Sequence, residues 1–265
     1  MNCLATIRKV MTSSNGTNGL LLSNIASVNA KVKEALSKRL VPNNLTRVPR
    51  LVCVGKTKPS SAIETVYSEG QRHFGENYVN EIAEKSVTLQ TSCPEIKWHF
   101  IGHLQSKNVR KLLECPNLDM IETIDSEKIA DRVNKVWGAL GKANSPLKVM
   151  VQINTSNEPQ KYGVAPGDTC KLVEYIREKC PNLAFCGIMT IGSFSHDYSQ
   201  GPNPDFLKLL ECKKDVMEQF SLQEDEVEVS MGMSNDFEHA IELGSTNVRV
   251  GSTIFGAREY AASAT

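Results

Sequence analysis

Eight short apolar runs, each separated from the next by an amphipathic stretch of helical spacing, constrain this chain more than any other feature. The runs lie at residues 51–55, 73–74, 97–101, 119–124, 149–153, 185–191, 227–231 and 248–250. Helices are predicted in all seven intervals, at 61–70, 77–85, 106–113, 126–140, 169–179, after a long loop over 193–204 through Phe220, and at 235–243. Ser61 and Glu64 stand in capping-box spacing at the first of these, and Gly70, Gly141 and Gly244 mark helix ends. Strands separated by helices need crossover connections, which makes the sheet parallel, and eight such units in about 250 residues describe a closed (β/α)8 barrel. An open doubly wound sheet alternates in the same way. Its dinucleotide fingerprint is a glycine-rich turn after the first strand, and Gly55-Lys-Thr-Lys-Pro59 has one glycine.

Upstream of the first run, Ile25, Val28, Val32 and Leu36 recur at helical spacing and predict a helix over 24–40. It is expected to cover part of the barrel exterior. Residues 1–23 are expected to form a flexible N-terminal extension, leaving 24–265 as a single barrel domain.

Thirty basic residues balance thirty acidic ones without long runs of either sign, which argues against a nucleic-acid or anionic-membrane footprint. No apolar stretch approaches the roughly 20 residues of a membrane span. The eight cysteines form no C-x-x-C pair and no zinc-spaced cluster, so reduced thiols in a cytoplasmic protein without a metal are expected. Arg8 and Lys9 among serines and threonines leave a mitochondrial or plastid leader as the alternative.

Barrel active sites lie at the C-terminal ends of the strands, and the loops after strands seven and eight often hold phosphate. Lys56 closes the first run, where partial desolvation would free its amine for Schiff-base chemistry; the plain alternative is that Lys56 and Lys58 are solvated charges flanking a turn. After strand seven, Ser234 at a helix start offers a hydroxyl and backbone N–H groups to an anion. After strand eight, Gly251 permits close backbone approach, and Ser252 and Thr253 add donors. Read separately, these are an ordinary N-cap and an ordinary turn. In Asn247-Val-Arg-Val-Gly251 the strand period puts Arg249 on the face opposite Val248 and Val250. If the valines pack outward, Arg249 points into the barrel and needs a carboxylate or a ligand. Asn77 follows strand two and is either a helix N-cap or a group at the same mouth. His99 and His103 lack an accompanying serine or cysteine nucleophile motif and read as structural or supporting.

Taken together, Val54-Gly-Lys-Thr-Lys-Pro59, Phe74-Gly-Glu-Asn-Tyr78, Trp98-His-Phe-Ile-Gly-His-Leu-Gln105, Gly187-Ile-Met189, Ser230-Met-Gly-Met-Ser234, Val248-Arg-Val-Gly251 and Ile254-Phe-Gly256 closely resemble the pyridoxal phosphate homeostasis proteins, the YggS/PROSC-like family. Asn154-Thr-Ser-Asn-Glu158 with Lys161 and Gly163 also fits, and the resemblance runs from about Leu51 to Tyr260. It departs at Gly55, where bacterial members commonly carry serine, and in the polar order of Ser106-Lys-Asn108. The resemblance implies a TIM-like barrel of the alanine-racemase N-terminal, fold-type III kind. It implies pyridoxal 5'-phosphate as cofactor, joined to Lys56 as a Schiff base. Ser234, Gly251 and Ser252 would hold the phosphate, Arg249 would face the pyridine nitrogen, and Asn77 and Met231 would complete the cofactor site.

A cationic arginine at the pyridine nitrogen disfavours its protonation and weakens the ring as an electron sink. The expectation is therefore a monomeric, non-catalytic holder that buffers the cofactor or delivers it to pyridoxal phosphate-dependent apoenzymes. The alternatives are a single-domain amino-acid racemase drawing on a residue such as Tyr162, and a Schiff-base aldolase using Lys56 without cofactor.

Overall fold

Hydrogen bonding closes the apolar runs into a ring. In the computed structural model, which describes residues 3–39, 48–193 and 196–257, with side chains left out at 3–15, 17 and 198, eight parallel strands follow one another around a barrel. These are β1 (Arg50–Val54), β2 (His73–Glu76), β3 (Lys97–Phe100), β4 (Leu118–Ile124), β5 (Leu147–Gln152), β6 (Leu183–Met189), β7 (Glu228–Ser230) and β8 (Asn247–Val250). Each neighbours its sequence successor, and β1 closes on β8 with Leu51 opposite Val248 and Val52 opposite Arg249. This closure brings the end of β1, and hence Lys56, beside the end of β8.

The intervals hold α2 (Ser60–Ser68), α3 (Val79–Thr88), α4 (Val109–Leu113), α5 (Glu127–Ala139), α6 (Thr169–Lys179), α7 (Pro204–Phe220) and α8 (Phe237–Leu243). The Ser61/Glu64 capping box does not form. Pro59 takes the cap position of α2 instead, with no side-chain cap bond. Ser126 does cap α5, accepting the N–H of Ile129.

Preceding the barrel, α1 (Cys3–Ser37) starts well before the expected helix. Ile25, Val28 and Val32 are buried as the spacing implies, and so is Leu21, ahead of the expected boundary. The helix packs on α2, α8 and the short α9 (Ser252–Phe255). Asn24 donates to the Ile254 carbonyl at 3.0 Å, and Lys31 pairs with Glu238 at 2.8 Å. The buried face of α1 and the four-residue α9 share one apolar cluster with the outward-facing residues of β8 and β1.

Alternation along the strands divides the interior in two. Val149, Val151, Val229, Val248 and Val250 point outward into the core beneath the helices. Inside the ring, Met120, Met150 and Met189 form a separate apolar cluster with Cys186 and Ile191. Beside the apolar Val52, Val54 and Ile101, the lumen also holds a polar group: His99, Glu122, Ser230, Asn247 and Arg249 are all buried there and bonded to one another. The seven cysteines whose side chains are described are free thiols.

Candidate functional site

The ends of β1, β2 and β8 and the loop after β7 enclose a cavity of about 350 Å³. That volume suits a small ligand. Lys56, Asn77, Ser234, Arg249, Gly251 and Ser252 all line it, beside Lys58 and the apolar Val54, Ile101, Ile191 and Met233. Six of the seven residues expected at a cofactor site are thus brought together.

The seventh, Met231, is not among the lining residues. It is fully buried in the core beneath the helices, while Met233 lines the cavity. The two-residue period accounts for this: Ser230 points into the lumen, so Met231 points out.

Ser234 is also not a helix cap, because α8 begins three residues later, after Asp236. Its hydroxyl instead accepts the N–H groups of Gly251 at 3.1 Å and Thr253 at 3.4 Å. The two loops predicted to make one cup are therefore joined directly. Gly251 also lets the loop lie close against the end of β1, since a Cβ there would lie 3.2 Å from the Val54 carbonyl oxygen.

Arg249 points inward, as the packing of Val248 and Val250 requires. Its guanidinium donates to the Ser230 hydroxyl and, at 2.8 Å, to the Thr190 carbonyl. The Ser230 hydroxyl donates to Glu122 at 2.6 Å, and Asn247 and His99 hold the other oxygen of that carboxylate at 2.9 and 2.7 Å. Burial alone would raise the Glu122 carboxyl; the bond from His99, the charges of His99 and Arg249, and the Ser230 bond outweigh it and hold the group down at about 2. The partner of Arg249 is thus a hydroxyl backed by a carboxylate. In sequence, Glu122 was visible only as an acidic residue inside the apolar run Met120-Ile-Glu-Thr-Ile124.

Asn77 does not cap α3, whose cap position is Tyr78. Its side-chain oxygen is buried without a hydrogen-bond partner at the cavity. The backbone that places it is tightly packed, because a Cβ on Gly102 would lie 1.9 Å from the Asn77 carbonyl oxygen. Asp236, which the sequence reading passed over, also lines the cavity; burial raises its carboxyl.

His99 proves structural, as part of the lumen network. His73 donates or accepts across 2.8 Å to its second ring nitrogen, and Asp119 lies 4.0 Å away. His73, His99 and Asp119 are the one trio of metal-ligating side chains found among the described residues. Two nitrogens on one tetrahedral zinc would stand about 3.3 Å apart. Here they share a hydrogen bond, and Lys148 occupies the Asp119 carboxylate at 3.0 Å, so the trio is a closed polar cluster. His103 stacks on Tyr162 with ring centroids 3.5 Å apart and pairs with Asp125 at 3.3 Å. Neither His103 nor Tyr162 lines the cavity. The segment with Lys161 and Gly163 folds as a separate loop, in which Asn154 donates to the Glu158 and Lys161 carbonyls.

Comparison with known proteins bears on what such a cavity holds. The family model of the alanine racemase N-terminal domain matches residues 38–259. The pyridoxal phosphate homeostasis protein of Mus musculus is 55% identical over 239 residues, covering 89% of this chain and 86% of the relative. That of Haemophilus influenzae is 38% identical over 240 residues, covering 91% and 97%. Among solved structures, PipY of Synechococcus elongatus PCC7942 with pyridoxal phosphate bound superposes with a TM-score of 0.71 at 28% identity, covering 89% of this chain and all of PipY. Alanine racemase of Clostridium difficile 630 shares the fold at a TM-score of 0.63 and 15% identity, with 58% of its length matched.

Proposed function

The chain belongs to the pyridoxal phosphate homeostasis protein family, built on the alanine racemase N-terminal domain, and from that membership we propose that it binds pyridoxal 5'-phosphate as a Schiff base on Lys56 and serves to hold and pass on the cofactor. The observation that carries this reading is the convergence of Lys56, the joined loops of Ser234 and Gly251, and Arg249 on one cavity.

The residues present fit the cofactor. One lysine offers an amine to an aldehyde. The Ser252 hydroxyl and the loop bonded to Ser234 offer donors to a phosphate. The partnerless side-chain oxygen of Asn77 fits a donor on the ligand, since a buried acceptor without a partner is costly. Bound pyridoxal phosphate supplies an aldehyde carbon and an electron-withdrawing ring.

Two features favour holding over turnover. Burial lowers the Arg249 guanidinium while Glu122 and Asp236 favour its charge, and at the pyridine nitrogen that charge would oppose protonation. Tyr162, the candidate second base, is exposed and stacked on His103 away from the cavity lining. On this reading the protein acts as a cytoplasmic monomer and hands the cofactor to pyridoxal phosphate-dependent apoenzymes.

The test is to load the purified protein with pyridoxal phosphate and follow α-proton exchange of a panel of amino acids in heavy water. A visible cofactor band with negligible exchange is expected. Robust exchange would instead make the protein a single-domain racemase or related enzyme, and no band at all would remove the cofactor reading.

A further inference from the structure

Beneath the turn that carries Lys56 lies a set of buried charges that the cofactor site does not use. Lys85 of α3 is buried, and its ammonium donates to the Gly55 carbonyl at 2.9 Å, to Glu76 at 2.7 Å and to Glu81 at 2.8 Å. Glu81, with the same oxygen, accepts the backbone N–H of Thr57 at 2.8 Å. The group before Lys56 and the group after it are therefore held by one ion pair.

Thr57 has a φ of 63°, in the left-handed region that a β-branched residue rarely enters. Such a residue persists only where its surroundings fix it. Two bonds hold it: the Lys58 N–H donates to the Gly55 carbonyl at 3.0 Å, closing the turn just after Lys56, and the Thr57 N–H donates to Glu81.

A purely structural role for this cluster explains less. Burying Lys85 and Glu76 is expensive, and apolar side chains of similar size would anchor α3 at lower cost. The helix already has Val79 and Ile82 buried for that purpose. What the apolar residues cannot supply is an acceptor for the Thr57 N–H and a second donor to the Gly55 carbonyl, which already accepts the Lys58 N–H at 3.0 Å. Glu76, fully buried at the end of β2, accepts from Lys85 through one oxygen, while its other oxygen has no hydrogen-bond partner.

We propose that Lys85 and Glu81 are positioning residues that clamp the backbone on both sides of Lys56 and so aim its amine into the cavity. The inference rests on the Schiff-base reading of Lys56. In that condensation the lysine nitrogen adds to the aldehyde carbon, a C=N bond forms, and the aldehyde oxygen leaves as water, with no change of oxidation state.

The test uses two ligands: pyridoxal phosphate, and pyridoxine phosphate, which keeps the ring and phosphate but has an alcohol in place of the aldehyde. Lys85→Met would strand two carboxylates and endanger the fold, so the partly exposed Glu81 carries the experiment. Glu81→Ala removes the acceptor for Thr57, Glu81→Gln keeps an oxygen there, and Glu84→Ala on the exposed face of α3 is the control. Melting curves establish that each variant is folded. Glu81→Ala is expected to slow covalent capture of pyridoxal phosphate about tenfold or more, because small misplacements of a reacting group are costly. Its affinity for pyridoxine phosphate should stay within about twofold of wild type, and Glu81→Gln should recover most of the capture rate. Capture at the wild-type rate in Glu81→Ala, or equal weakening of both ligands, would overturn the proposal. Absence of capture in the wild type would instead remove the Schiff-base reading and this inference with it.

Discussion

The hydroxyl of Ser234 accepts the backbone N–H of Gly251 at 3.1 Å, tying the loop after β7 to the loop after β8 at the floor of the cavity. One side chain thereby sets the spacing of two loops that sequence reasoning could place only as neighbours. Ser234→Ala should weaken binding of pyridoxal phosphate about tenfold, the equivalent of roughly 1.4 kcal/mol for a hydrogen bond near a charged group. Equilibrium dialysis against the ligand measures this. Because the bond lies at the cavity, the unfolding midpoint in urea should move little.

Gly102 and Asn77 are coupled through their backbones. With a Cβ at position 102 falling 1.9 Å from the Asn77 carbonyl oxygen, Gly102→Ala cannot be absorbed by a side-chain rotation. The loop carrying Asn77 must move, at a cost of about 3 kcal/mol or more. Urea unfolding should show that loss, and residual folded protein should bind pyridoxal phosphate more weakly. Unchanged stability would mean that the two segments do not pack as described.

Glu122 is the hub of the lumen, accepting from His99, Ser230 and Asn247. Glu122→Gln replaces one acceptor oxygen by a donor facing donors and removes the charge behind Arg249. A loss of about 3–5 kcal/mol in urea-derived stability is expected, as for a broken buried ion pair. Native-like stability would contradict the network.

Three strongly shifted groups fix the shape of the stability–pH curve. His73 is held down at about 3, first by burial and then by the neighbouring His99 charge, and Glu122 at about 2. Glu76 is pushed up to about 7, by burial against the opposing pull of Lys85. Between pH 3 and 6.5 the unfolded chain binds a proton at His73 that the folded one does not, so stability rises with pH there. Between 4.5 and 7 the folded chain keeps a proton on Glu76 that the unfolded one loses, so stability falls with pH. The two effects oppose each other from about pH 4.5 to 6.5, giving a flat stretch. Below 4.5, Glu122 joins His73 and stability drops steeply toward pH 2. Glu76→Gln should convert the flat stretch into a rise approaching tenfold in the folding equilibrium per pH unit, read from urea midpoints at pH 4.5, 5.5 and 6.5. A curve that stays flat in Glu76→Gln would contradict the opposition of these two groups.

Much of the barrel was legible because each strand is a short apolar run whose ends coincide with turn residues, and because Val248 and Val250 left Arg249 only one direction to face. The same alternation turns Met231 outward because Ser230 faces in. The helix caps were less readable. Ser61 and Glu64 have the right spacing, yet the cap of α2 falls two residues earlier, at Pro59. Least visible were the groups joined across the fold. Glu81 and Lys85 stand four apart and could be paired on sight, but Gly55 lies 30 residues and Glu76 nine residues from Lys85, and only the closed barrel brings them to one ammonium. Nothing local marks Asp236 as part of the cavity either, since Met233 and Asp236 approach it through a turn that begins at Gly232, whose φ is +95°.

The central claim is that Lys56, and not its neighbour, anchors the cofactor. Lys58 lines the same cavity but donates to the Ala257 carbonyl at 2.7 Å, which directs its ammonium toward the chain beyond α9. Reduction of the loaded protein with borohydride, followed by peptide mapping, fixes the point of attachment permanently. The account predicts one pyridoxyl group on Lys56, and loss of both the label and the visible band in Lys56→Ala. Label on Lys58, or an undiminished band in Lys56→Ala, would contradict it.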